Sequence, residues 1–104
     1  MVHYVDRNSF KNITKILGDL NIEKNVSLDK TMITLLVEYL GDIYPLDVDI
    51  DEENIVALAI YIVANDLFGY KLDVNKYAEK HDINKTILEQ YIVNIKNIND
   101  TFMC

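Results

Sequence analysis

The chain has 104 residues, half of them apolar, with one proline, three glycines and a single cysteine; at this length one core buries roughly 60–70% of the unfolded chain's surface. That composition argues against a disordered chain, and a lone cysteine leaves no intrachain disulfide. A net charge of −7 at pH 7 disfavours affinity driven by phosphate contacts, which needs clustered Lys and Arg to release counterions.

The excess acid is localised. Residues 1–46 carry five basic and six acidic side chains and residues 71–104 five of each, whereas residues 47–70 carry six acids and no base. Most of that charge lies in DVDIDEEN, from Asp47 to Asn54. The richness in Ile, Asn, Asp, Lys and Tyr, with no Trp, is the bias of an AT-rich gene and points to a large DNA virus or another AT-rich genome. The longest apolar run, Ile55 to Ala64, is ten residues, short of the ~20 that span a bilayer. The start MVHYVDRNSF has no signal-peptide core, so the expectation is an intracellular protein, cytoplasmic or nuclear, that does not cross a membrane.

Residues 1–8 are expected to be a flexible N-terminus, 9–98 a helical domain and 99–104 a flexible C-terminus. Phe10, Ile13, Ile16, Leu17 and Leu20 recur at helical spacing and predict a first helix from Ser9, its N-cap, to Leu20. After the polar break NIEKN, the residues Met32, Leu35, Leu36, Tyr39, Leu40 and Ile43 predict a second helix from Leu28 to Tyr44, capped by Ser27 or Asp29 and ended by the Pro45 loop. Asp51 is the expected cap of a third helix, with Glu52 and Glu53 in its first turn. From Ile55 to Ala64 that helix is apolar all round, so other helices must surround it. A buried strand fits less well, because the run continues in helical register to Leu67 and Phe68 and contains three alanines. Gly69 supplies the stop. Val74, Tyr77 and Ala78 predict a short helix from Asp73 to Lys80. Asn84 then caps a last helix, Lys85 to about Ile98, with Ile87, Leu88, Tyr91, Ile92 and Ile95 as its buried stripe.

The order of features in the second half resembles one core repeat of transcription factor IIB, a cyclin-box family. The matching residues are Ala57, Ala59, Tyr61 and Ala64 in an apolar helix, then Gly69, then Ala78 and Glu79, then Thr86, Ile87 and Tyr91. The resemblance implies an all-α, five-helix cyclin-like domain over Phe10 to Ile98, with a buried third helix and a C-terminal helix-turn-helix pattern. It also implies binding of a protein partner in a groove between helices, such as a transcription-machinery or kinase subunit. Only one repeat is present where that family has two in tandem, so homodimerisation is a candidate for supplying the second.

In the helix-turn-helix stretch KLDVNKYAEKHDINKTILEQYI, Ala78 is the small residue at the crossing, Ile83 seats the turn, and Asp82 stands where the left-handed turn glycine is usual. A DNA-reading version would use Lys76, Lys80, Lys85 and Gln90. However, Leu88, Glu89 and Gln90 follow Thr86 and Ile87 where the family is basic, so DNA binding is expected to be weak or absent. Asp47, Asp49 and Asp51 alternate like the opening of a calcium loop, but Glu52 and Leu58 replace the glycine and the glutamate that such a loop requires. No metal or cofactor is expected. His3, His81, Cys104, Ser9 and Ser27 form no converging nucleophile, base and acid, so the expectation is a non-enzymatic protein. The partner-binding candidates are therefore the acidic run Asp47, Asp49, Asp51, Glu52 and Glu53 and the aromatics Tyr44 and Tyr70 at segment ends. The alternatives are a helix-turn-helix DNA-binding regulator and an acidic viral decoy that occupies a host protein's groove.

Overall fold

The computed structural model describes residues 7–43 and 53–103. Within them the chain forms five helices, α1 (Arg7–Leu20), α2 (Val26–Ile43), α3 (Glu53–Leu67), α4 (Val74–Lys80) and α5 (Lys85–Met103), and no strand. The expected all-α architecture with a central third helix is what the chain adopts.

Helix α3 is the hub because its middle has no polar face to give to water. Val56, Ala57, Leu58, Ala59 and Ile60 are buried in succession, followed after Tyr61 by Ile62, Val63, Ala64 and Asn65. Helices α1, α2 and α5 each pack against it. Their contributions are Ile13 and Leu17 from α1, Met32, Leu35, Leu36 and Tyr39 from α2, and Leu88, Ile92 and Ile95 from α5, all buried. Phe10, Ile16 and Leu20 close the core at its edge, half-buried. The alanines keep α3 thin, so three helices reach its axis closely. The short α4 packs on α5 through Ala78, which is buried.

Two helix ends are made by the same device. At the end of α3, Gly69 has φ +86°, and the amides of Tyr70 and Gly69 bond to the carbonyls of Asn65 and Asp66 at 2.9 Å each. At the end of α4, Asp82 has φ 54°, while the amides of Ile83 and Asp82 bond to the carbonyls of Ala78 and Glu79 at 2.9 and 3.2 Å. Both are Schellman caps, in which one left-handed residue lets the chain reverse and satisfy orphan carbonyls. Asn84 caps α5 as expected, its side chain accepting from the amides of Thr86 and Ile87.

Three boundaries differ from the sequence expectation. Helix α1 starts at Arg7, which leaves Ser9 inside the helix rather than at its cap. Helix α2 starts at Val26, and the cap is neither Ser27 nor Asp29 but Asn25, whose side-chain oxygen accepts from the Leu28 amide at 3.1 Å. Helix α5 continues past Ile98 to Met103, since NDTFM contains neither Gly nor Pro to stop it. The expected Asp51 cap and the end of the second helix at Tyr44 lie outside the described residues.

Replacing Ile60, fully buried at the hub, with Ala is expected to lower unfolding stability by about 2–5 kcal/mol in urea titration. Gly69→Ala should cost roughly 1 kcal/mol through its left-handed backbone alone, because nothing lies within 4 Å of an added Cβ. Asp82→Gly should change stability in the opposite direction by a smaller amount.

Candidate functional site

The turn between α1 and α2 is built around a buried amide. Asn21, only 5% exposed, accepts from the Asn25 amide at 3.1 Å and donates to the Asn25 carbonyl at 3.0 Å. One side chain thus brackets both polar groups of one residue's backbone, and Asn25 in turn caps α2. Lys24 takes a left-handed φ of 55° in this turn, and its Nζ reaches the Gly18 carbonyl at 3.3 Å.

That clamp sets the turn against the last part of α3 and the segment after it. Between them lies a cleft of about 500 Å³, whose walls include Leu20, Asn21 and Leu28 on one side and Tyr61, Asn65 and Leu72 on the other. Ile22 and Tyr70 stand at its edge and are 81% and 63% exposed. Glu23 is its one charged lining residue among those described.

The polar floor of the cleft is a linked set. The Asn65 side-chain amide donates to the Tyr61 carbonyl at 2.8 Å, and the Tyr61 and Tyr77 rings meet in a tilted pair at 6.0 Å and 58°. Burial pushes the Tyr61 phenol above its ordinary value near 10, the Tyr77 hydroxyl beside it adds to the rise by charge and by hydrogen bonding, and the Glu23 carboxylate contributes in the same sense; the Asn65 amide acts against them. A phenol is neutral at pH 7 even at its ordinary value, and the rise moves Tyr61 further from acting as a base.

The structure separates the partner-binding candidates. Tyr44, Asp47, Asp49, Asp51 and Glu52 lie outside the described residues. Glu53 opens α3 and accepts from the Asn12 side-chain amide at 3.3 and 3.5 Å, so it joins α1 to α3. Tyr70 is beyond the other end of that helix, which at 1.5 Å per residue is roughly 20 Å away. Of the pair, only Tyr70 belongs to the cleft. Of the cleft residues, sequence reasoning singled out only Tyr70 for binding and missed Asn21, Ile22, Glu23, Asn25, Asn65 and Leu72.

The nucleic-acid candidates form a different surface. Lys76 and Lys80 are exposed on α4. Lys85 pairs with Glu89 at 3.6 Å, one turn on. Gln90 lines a shallow groove of about 310 Å³ with Thr86, Glu89, Val93 and Asn94, where a carboxylate and neutral side chains stand in place of a cationic strip.

No protein-family model matches the sequence, and neither a curated protein nor a solved structure matches the chain. No helix among the described residues is long and apolar enough to cross a membrane.

Asn21→Ala leaves the Asn25 backbone without its bracket and should cost about 1–3 kcal/mol in unfolding stability. The Tyr61 shift has a signed consequence. Its folded-state value lies above the unfolded one, so the stabilisation is complete below about pH 10 and is lost as pH rises through and beyond the folded-state value. Tyr61→Phe should flatten the alkaline fall in stability, followed by chemical denaturation between neutral pH and about pH 11–12.

Proposed function

We propose that this domain is a non-enzymatic protein-interaction module of the cyclin-box type, which acts in transcription or its regulation by binding a protein partner such as a transcription-machinery or kinase subunit. The observation that carries the reading is the cleft at the end of α3. Its walls combine aliphatic side chains with neutral hydrogen-bonding groups, and two large apolar residues, Ile22 and Tyr70, are left in water at its edge. Apolar side chains beside a concave, hydrogen-bonding surface are the elements of a protein-docking site. The helix order, with an apolar third helix enclosed by α1, α2 and α5, agrees with the layout that the resemblance implies. The step from that layout to transcription is an analogy of fold and of the matching residues.

A helix-turn-helix DNA regulator is the second reading, favoured by one observation: α4, the Asp82 turn and α5 form a packed helical pair with the turn sealed by Ile83. Electrostatics favour the first. Phosphate contact requires uncompensated cations on the leading turns of the recognition helix, and there Lys85 is paired with Glu89.

Affinity capture by the immobilised chain from nuclease-treated extract of the source cells separates the two. The expected result is retention of transcription-machinery or kinase subunits that survives nuclease. Retention that disappears with nuclease, together with saturable duplex binding at physiological salt, overturns the interaction reading in favour of DNA.

A further inference from the structure

The chain between the end of α3 and the start of α5 is held differently from the rest of the molecule. Both flanking helices finish themselves: the Asn65 carbonyl closes α3 on the Tyr70 amide at 2.9 Å, and the Asn84 side chain caps α5 on the Thr86 and Ile87 amides. Between them, the amides of Tyr77, His81, Asp82 and Ile83 bond to the carbonyls of Asp73, Tyr77, Glu79 and Ala78, all within the same segment. We propose that residues 71–83 form a strap that opens as a unit while α1, α2, α3 and α5 stay folded, with Tyr77 on Tyr61 as its latch.

Burial sets the balance. Of residues 71–83 only Ala78 is buried, with Leu72, Val74, Tyr77 and Ile83 half-buried, whereas α3 buries an unbroken run from Val56 to Ile60. The free energy of local opening follows the apolar surface a segment keeps from water, so this segment opens at far lower cost than the hub. Among the helices, α4 packs closely on α5 alone; its hold on α3 is the Tyr77 ring, 6.0 Å from that of Tyr61. The ion pairs shown among the described residues, Lys85 with Glu89 and Lys96 with Asp66, lie outside the strap. Opening also relieves the left-handed backbone of Asp82, at φ 54°. Once released, α4 has seven residues, fewer than the ~12–15 that an isolated helix needs in water, so the open strap loses its helix. The same motion takes Leu72 out of the cleft wall and uncovers Tyr61. The cleft is complete only while the strap is closed.

Native-state hydrogen exchange of the whole chain tests the strap, under conditions where rates report the free energy of opening. The Tyr77, His81 and Ile83 amides should be protected at least about a hundredfold less than those of Ile60 and Val63 in α3. Ile13→Val, in a helix that packs on α2 and α3, weakens the body equally whether the strap is open or closed. It should speed the Ile60 and Val63 amides roughly 2- to 10-fold and leave the strap amides unchanged. Tyr77→Ala removes the latch and should speed the strap amides about tenfold in a chain that still folds. Equal protection of strap and hub, Ile13→Val speeding both sets alike, or a Tyr77→Ala chain that is unfolded or keeps its strap rates each overturn the proposal.

Discussion

The enclosure of α3 is the constraint from which the rest of the molecule follows. A helix with a polar face can be satisfied by one packing partner, but α3 presents apolar side chains in every direction from Val56 to Ala64, so it must be covered on all sides. Three helices do this, and each supplies only one apolar stripe. The remaining surfaces of α1, α2 and α5 are consequently free to be polar, which reconciles a core of this size with an apolar fraction of one half.

A fully enclosed helix still has two ends, and there the enclosure is incomplete. At the N-terminal end Glu53 is tied to Asn12 of α1. At the C-terminal end the buried residue is polar: Asn65 commits its side chain to the Tyr61 carbonyl and its own carbonyl to the Tyr70 amide. The cap turns the chain away from the core sharply, and the covering helices do not follow it. The cleft is the space left between that reversal and the α1–α2 turn. Its neutral, hydrogen-bonding floor is therefore a by-product of ending a buried helix, and the same burial pushes the phenol of Tyr61 above its ordinary value.

The helices were legible because their signals are local. Stripes such as Ile13 with Leu17 or Leu88 with Ile92 and Ile95 repeat at the helical period, and Gly69, Asp82 and Asn84 mark ends by backbone chemistry that needs no tertiary context. The cap of α2 was ambiguous for an equally local reason: Asn25, Ser27 and Asp29 are all capping residue types within five positions. The choice fell to Asn25 because the buried Asn21 side chain grips its backbone from the preceding helix end, an interaction with no signature in composition. The cleft was illegible altogether. Its two walls, Leu20 to Leu28 and Tyr61 to Leu72, are far apart in the chain, and an isoleucine in the polar turn NIEKN carries no mark that it will stand in solvent rather than in the core.

The helix-turn-helix pattern illustrates how a motif can be read correctly as structure without fixing its use. Ala78 has to be small because α4 and α5 cross there, Asp82 has to accept a left-handed backbone to reverse the chain within the turn, and Ile83 has to be apolar to anchor that turn on the core. Every one of these demands comes from packing α4 onto α5, and none involves a ligand. DNA readout would impose further demands on the outward side chains of α5, which packing leaves unconstrained. There the chain places the Lys85–Glu89 pair and the neutral Gln90, Val93 and Asn94. The inward residues thus account for the motif in full, while the outward ones named here offer no strip of uncompensated cations of the kind that phosphate contact uses.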